Sequence, residues 1–185
     1  GLGKKSAIKS LVNAPMIAML LDHMNYLFYD NVTFLNYVGR IAFPIFAWQI
    51  AVGFEKTRDA KLYAFRLLIL ALISQPLFIL YFGELLNGYV FNTIFTLLLG
   101  LLCLFAINKS DKIGLGVTIV SCIVAQYLHF DYGAFGIIMI VIFYLFRKNY
   151  GLMMVAQAIN LISYNFMHPN SIEMYSFVAI LLILL

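Results

Sequence analysis

The sequence predicts an all-α, polytopic membrane helix bundle of about eight transmembrane helices, with its N-terminus in the cytoplasm. Three observations carry that prediction. First, 64% of the 185 residues are hydrophobic and 11% are charged, with a mean hydropathy of +0.96. Soluble domains hold about 45–50% apolar and about 25% charged residues. Second, runs such as RLLILALISQPLFILYF are continuously apolar, whereas a transmembrane barrel alternates. Third, the basic residues fall at every other connection between apolar stretches, as the positive-inside rule requires of a multi-pass chain.

A span needs about 20 apolar residues, and eight stretches qualify in order. The first, 8–28, follows Lys4, Lys5 and Lys9. No small-residue cleavage site ends it and polar groups sit inside it, so it reads as a retained helix and not a signal peptide. The second, 34–54, carries Arg40, and the third, 62–82, is the most continuously apolar. The fourth and fifth run over 90–108 and 113–130, separated by Lys109 and Lys112. The sixth, 133–147, is short and ends at Arg147 and Lys148, and the seventh covers 150–167. The eighth, 171–185, is also short. Eleven of the twelve Lys and Arg residues lie before the first span or at alternate connections. The other connections (YDNVT, GELLNGY, HFDYG, MHPNS) carry none. An even number of crossings must separate the basic pairs at 109–112 and 147–148, which supports the short sixth span.

The connections are short, so residues 1–185 are read as a single domain without linker or low-complexity segment. Cys103 and Cys122 both lie in apolar stretches and read as small core residues, not as a disulfide or metal framework. No metal-ligand spacing, glycine-rich phosphate loop or Gly-x-Ser-x-Gly elbow occurs. The net charge of +4 is accounted for by the cytoplasmic rim. That rim suits anionic lipids or a phosphate-rich cytoplasmic cosubstrate, and no basic patch interleaved with aromatics supports a nucleic-acid partner.

The polar groups that topology leaves over are more informative. Arg40 is the one basic residue outside the cytoplasmic rim, about six residues and ~9 Å below the outer end of the second span. Asp22 and His23 lie in MLLDHMNYLFYD, about two-thirds of the way across the outward-running first span. All three are therefore expected at similar depth in the outer half of the bilayer, where ionisable residues are costly and usually functional. Adjacent helical residues point about 100° apart, so Asp22 is a better partner for Arg40 than for His23. The bland alternative is a buried Asp22–Arg40 ion pair that only fixes helix packing, with His23 bonded to a carbonyl. Asn25, Tyr26 and Asn36, then Asn92, Thr93 and Thr96, gather on the same outer side, as do His129, Asp131 and Tyr132 at the turn between the fifth and sixth spans. Gln157, Asn160 and Tyr164 form one stripe on the seventh helix, with interhelical hydrogen bonding as their simplest role. His168 is expected in an outer loop, and Asn31-Val-Thr33 matches a glycosylation sequon of low specificity. What remains is a histidine with carboxylate and arginine neighbours in a membrane. It is suited to removing a proton from an amine or hydroxyl, or to carrying an acyl group.

The segment IAMLLDHMNYLFYD, followed by YVGRIAFPIFAWQIAVGFEKTRDAKLYAFRLLILALISQPLF, and later NTIFTLLLGLL, DYGAFGI and YSFVAILLILL, resembles the TraX family of membrane proteins over essentially the whole chain. That resemblance implies acetyl transfer from acetyl-CoA. The name-giving member N-acetylates the terminus of a conjugative pilin at the bacterial inner membrane. It implies His23 as catalytic base or acyl carrier, supported by Asp22 and Arg40, with no metal. Lys56, Arg58, Lys61 and Arg66 become candidates for the CoA phosphates. Asn25, Asn36, Asn92, His129, Asp131 and Tyr132 become candidates for the acceptor side. Two other classes stay open: a small transporter or channel lined by Asp22, His23 and Arg40, and a non-catalytic membrane partner in pilus assembly.

Overall fold

The computed structural model describes residues 33–82, 90–169 and 176–184. Every regular element among them is helical: α1 (Thr33–Lys56), α2 (Ala60–Phe82), α3 (Thr93–Lys109), α4 (Asp111–Tyr127), α5 (Gly133–Leu145), α6 (Tyr150–Met167) and α7 (Ser176–Leu184). They coincide with the second to eighth apolar stretches. The first stretch, with Asp22, His23, Asn25 and Tyr26, lies outside the described residues.

The helices group into two compact units, Ala47–Met153 and the combination of residues up to Phe46 with those from Met154 onward. In the unit Ala47–Met153, α3 packs against α2, α4 and α5, and α4 also packs against α5. The centre is α5, with Phe135, Ile137, Met139, Ile140 and Phe143 at most 4% exposed. Leu97, Leu101 and Leu104 of α3 close over it. Two glycines set how near the helices come. A Cβ on Gly100 would lie 2.3 Å from Ile140 Cδ1, and one on Gly114 would lie 2.6 Å from the Ile107 Cα. The second contact follows from the tight link between α3 and α4. Ser110, extended at φ −169°, is the only residue between them, so α4 starts against the last turn of α3.

In the other unit, Ala42, Phe43 and Ile45 of α1 are buried, as are Gln157 and Leu161 of α6 and Ser176, Ala179 and Ile180 of α7. Pro44 sits inside α1 and Pro76 inside α2. Each removes one intrahelical donor, a substitution that helices packed in membranes tolerate well.

The surface is apolar where a soluble domain would be charged. On α2, Phe65, Ile73, Leu77 and Leu80 are all more than half exposed. Only 11% of the helix's most apolar stretch is buried. Over Ala60–Leu80 it is long and apolar enough to cross a membrane, and it is the one helix among the described residues that passes on length and composition together. Helices α3 and α5 are apolar but shorter, at 17 and 13 residues, or ~25 and ~20 Å against a ~30 Å hydrocarbon core.

The helix ends differ from the sequence expectation for local reasons. The fourth stretch begins as extended chain at residues 90–91, and Asn92 caps α3 before Thr93. The fifth ends at Tyr127 because His129 takes a left-handed conformation, φ 53°, which a helix cannot continue through.

Candidate functional site

Polar chemistry collects at the two ends of the unit Ala47–Met153. At one end, residues 90–92 and 128–133 are drawn together outside the helices. Phe91 and Phe130 form a parallel bridge, with the Phe91 N–H donating to the His129 carbonyl at 3.3 Å and the Asp131 N–H to the Phe91 carbonyl at 2.9 Å. Phe91, Phe95 and Phe130 pack as an aromatic triad, with centroids 4.7 to 6.0 Å apart. Gln75, one residue before Pro76, clamps the segment. Its Nε2 donates to the Val90 carbonyl at 2.8 Å, and its Oε1 accepts from the Asn92 N–H at 2.9 Å.

Asn92 is 4% exposed, and its whole amide is engaged. Oδ1 accepts the Ile94 N–H at 3.0 Å as an N-cap. Nδ2 donates to the Ala71 carbonyl and to Ser74 Oγ, both at 3.1 Å. An amide with both N–H groups committed joins α2 to the start of α3. Thr93 Oγ1 donates to Asp131 Oδ2 at 2.5 Å, and the Thr96 hydroxyl donates to the Asp131 carbonyl. His129 and Tyr132 both have positive φ, at 53° and 61°. His129 is exposed and Tyr132 half-buried. The structure thus brings Asn92, Thr93, Thr96, Asp131 and Tyr132 into one turn system, with His129 on its outside. Asn36 and Arg40 both lie on α1, with Arg40 two turns (~10 Å) from Thr33. Asp22, His23 and Asn25 are outside the described residues.

At the opposite end, α1, α3 and α5 finish around an open hollow of about 400 Å³. Its floor is aromatic. The Phe54 ring meets Phe105 at 5.1 Å and Tyr144 at 5.5 Å, both edge to face, an arrangement favoured by the ring quadrupoles. Its rim is charged and polar, with Glu55, Arg58, Asn108 and Arg147 among the lining residues. Arg147 has three contacts. Its Nε reaches Glu55 Oε1 at 3.4 Å, one Nη donates to the Tyr144 carbonyl at 2.5 Å, and the guanidinium lies 4.2 Å from the Tyr144 ring centroid. The ion pair is partly solvated, with side-chain exposures of 34% for Arg147 and 48% for Glu55. Such a pair is weak and readily exchanged.

Three helices end here and α2 begins here at Ala60, so three carbonyl ends and one amide end oppose one another around the hollow. Asp59 caps the following helix, with Oδ1 accepting the Leu62 N–H at 2.9 Å. Of the four basic residues expected to meet CoA phosphates, Arg58 lines the hollow. Lys56, Lys61 and Arg66 are exposed nearby in the chain and do not line it. Arg147, Glu55 and the three aromatics were not among the expected residues. The signal in the sequence was an aromatic residue two to four positions before a basic one at three span ends: Phe54 before Lys56, Phe105 before Lys109, and Tyr144 before Arg147.

On the second unit, His168 follows α6 and stacks on Tyr164 with ring centroids 4.5 Å apart. Gln157 is fully buried, while Asn160 and Tyr164 are half-buried.

Among known proteins, the chain is similar to the probable fimbrial assembly protein FimC, serogroup H1, of Dichelobacter nodosus. The two are 28% identical over 135 residues, or 66% of this chain and 55% of that protein. The chain thus spans about half the length of that relative. No solved structure matches it. The family model described as TraX protein matches residues 5–185, nearly the whole chain. The protein belongs to the TraX family.

Proposed function

We propose that the protein is a multi-pass acetyltransferase of the bacterial inner membrane, acting in pilus biogenesis. It takes acetyl from acetyl-CoA at its basic, cytoplasmic end and delivers it to an acceptor at the outer half of the bilayer. The acceptor is the N-terminal amine of a conjugative pilin. The observation that carries this reading is the aromatic, arginine-rimmed hollow at the end where the basic loops lie, in a chain whose family is associated with pilin acetylation. The exposed apolar faces of α2, α4 and α6 support a lipid surround. The alternation of basic loops supports eight spans with a cytoplasmic N-terminus. The resemblance to a fimbrial assembly protein supports a pilus-related acceptor.

The chemistry needs one base. The acceptor nitrogen attacks the thioester carbonyl, the C–S bond breaks, and CoA leaves as the thiol after gaining a proton. His23 takes the proton from the amine directly, or first accepts the acetyl group on its ring nitrogen and passes it on. Arg40, balanced by Asp22, stabilises the negative charge that develops on the carbonyl oxygen. Asn25, Asn36, His129, Asp131 and Tyr132 are the candidates that the sequence offers for contacting the acceptor. Intact-mass measurement of pilin co-expressed with wild-type protein and with His23→Ala tests the assignment. The wild type should add one acetyl group and the variant none. Acetylation that survives the substitution unchanged removes His23 from the chemistry.

A further inference from the structure

Resting on that reading, we infer that the hollow between the ends of α1, α3 and α5 binds the 3′-phosphoadenosine portion of CoA, and that Glu55 holds Arg147 in readiness for its phosphate. The volume, about 400 Å³, falls in the range of small-ligand pockets, about 300–1,000 Å³. The lining matches the two halves of a purine nucleotide. Phe54, Phe105 and Tyr144 line the hollow, and the half-buried Phe54 and Phe105 offer apolar ring surface to a flat base. Asn108 on the rim carries an acceptor oxygen and a donor nitrogen, the complement of an adenine edge. Arg58 and Arg147 face the same space from the end of α1 and the end of α5.

Arg147 is the informative residue. A guanidinium offers five N–H groups. One donates to Tyr144 and the Nε to Glu55, so three more are available to a phosphate. Stacking on Tyr144 fixes the plane of the fork, which suits bidentate phosphate recognition. Its bond to Glu55 is long and half in water. A phosphate carrying more charge than one carboxylate displaces Glu55 without breaking the Tyr144 contacts. Glu55 then swings into solvent. Glu55 thereby selects against weakly charged anions, which do not displace it from Arg147.

The test is binding of adenosine 3′,5′-bisphosphate to the purified full chain in detergent by calorimetry, with adenosine and inorganic pyrophosphate as separate arms. The bisphosphate should bind more tightly than either fragment. Glu55→Gln should tighten its binding several-fold, and Arg147→Gln should weaken it about 10-fold or more. Arg147→Gln also loses a backbone contact, so Glu55→Gln, which loses none, keeps the proposal testable if the first variant fails to fold. Equal binding of pyrophosphate and the bisphosphate would make this a plain anion site and overturn the nucleotide assignment. So would bisphosphate affinity unchanged by Glu55→Gln. Acetyl transfer that persists with both variants unaffected defeats the hollow and leaves the enzyme reading intact. Bisphosphate binding that follows the expected order in a protein with no acetyl transfer does the reverse.

Discussion

The Thr93 hydroxyl donates to the Asp131 carboxylate at 2.5 Å, fastening the first turn of α3 to the turn that precedes α5. Because Thr96 donates to the backbone carbonyl of the same residue, Asp131 receives two hydroxyls from one helix face. Asp131→Ala removes only the side-chain acceptor and leaves Thr93, 8% exposed, without its carboxylate. A buried hydroxyl that loses its partner costs about 1–3 kcal/mol. Thermal unfolding of purified protein in detergent should show a clear drop for Asp131→Ala and a smaller one for Asp131→Asn, which keeps an acceptor oxygen. If both variants unfold with the wild-type midpoint, the turn is not fastened through this carboxylate.

The backbone of the same turn yields a second prediction. Gly133 has φ +41°, and a Cβ there would lie 3.0 Å from Gln126 Oε1. Gly133→Ala therefore combines left-handed backbone strain with a close contact, for about 1–2 kcal/mol of destabilisation. His129 has φ 53° with an exposed side chain, so His129→Gly relieves strain and should leave stability within about 1 kcal/mol of wild type. The pair separates structure from function. A His129→Gly protein that unfolds normally but loses acceptor modification would place the imidazole in acceptor binding. Normal modification would leave it as an exposed turn residue.

Helix positions were legible in the sequence because continuous apolar runs and the alternation of Lys and Arg are local signals. Seven of the predicted stretches became α1 to α7. The start of α3 was not legible, since it depends on Gln75 and on the bridge between Phe91 and Phe130, contacts between residues 17 to 39 positions apart. Asn92 shows the same limit. Its residue type suggested an acceptor contact, whereas its amide joins α2 to α3. The hollow was hidden for a related reason. Glu55 and Arg147 are 92 positions apart, and each reads in sequence as one more charge at a cytoplasmic loop. Asp22, His23 and Arg40 stand out in the sequence by charge and by expected depth, with Asp22 and His23 outside the described residues.

Close helix packing makes a prediction with an internal control. At Gly100 the nearest atom to an added Cβ is the flexible tip of Ile140, with Ile140 Cβ and Cγ2 at 3.2 Å. At Gly114 the obstacle includes the backbone of Ile107, with Cα at 2.6 Å and N at 2.9 Å. Side chains yield and backbone does not. Gly100→Ala should cost about 1–3 kcal/mol as an overpacked core, and Ile140→Val, which removes Cδ1, should recover part of it. Gly114→Ala should cost more, and no side-chain truncation at Ile107 should rescue it. Unfolding midpoints of the two single variants and the Gly100→Ala/Ile140→Val double variant decide the matter. Equal losses at the two glycines would mean that the link at Ser110 gives way and α4 is not held against α3.

Three of the four basic residues expected at the CoA phosphates should separate kinetically. Arg58 lines the hollow, while Lys61 and Arg66 extend from the start of α2 without lining it. A direct charged hydrogen bond to a phosphate is worth about 1.5–3 kcal/mol. An exposed charge that makes no such bond acts only through a field that salt screens over about 8 Å at physiological ionic strength. For acetyl-CoA-dependent transfer, Arg58→Ala should raise KM about 10-fold with kcat little changed, the pattern of lost uniform binding. Lys61→Ala and Arg66→Ala should change KM by about 2-fold or less at that ionic strength. Their effects should fade as salt is raised, whereas that of Arg58→Ala should persist in part. Similar KM increases for all three variants, all abolished by salt, would mean that the rim attracts CoA only as a diffuse positive field and that Arg58 makes no specific contact.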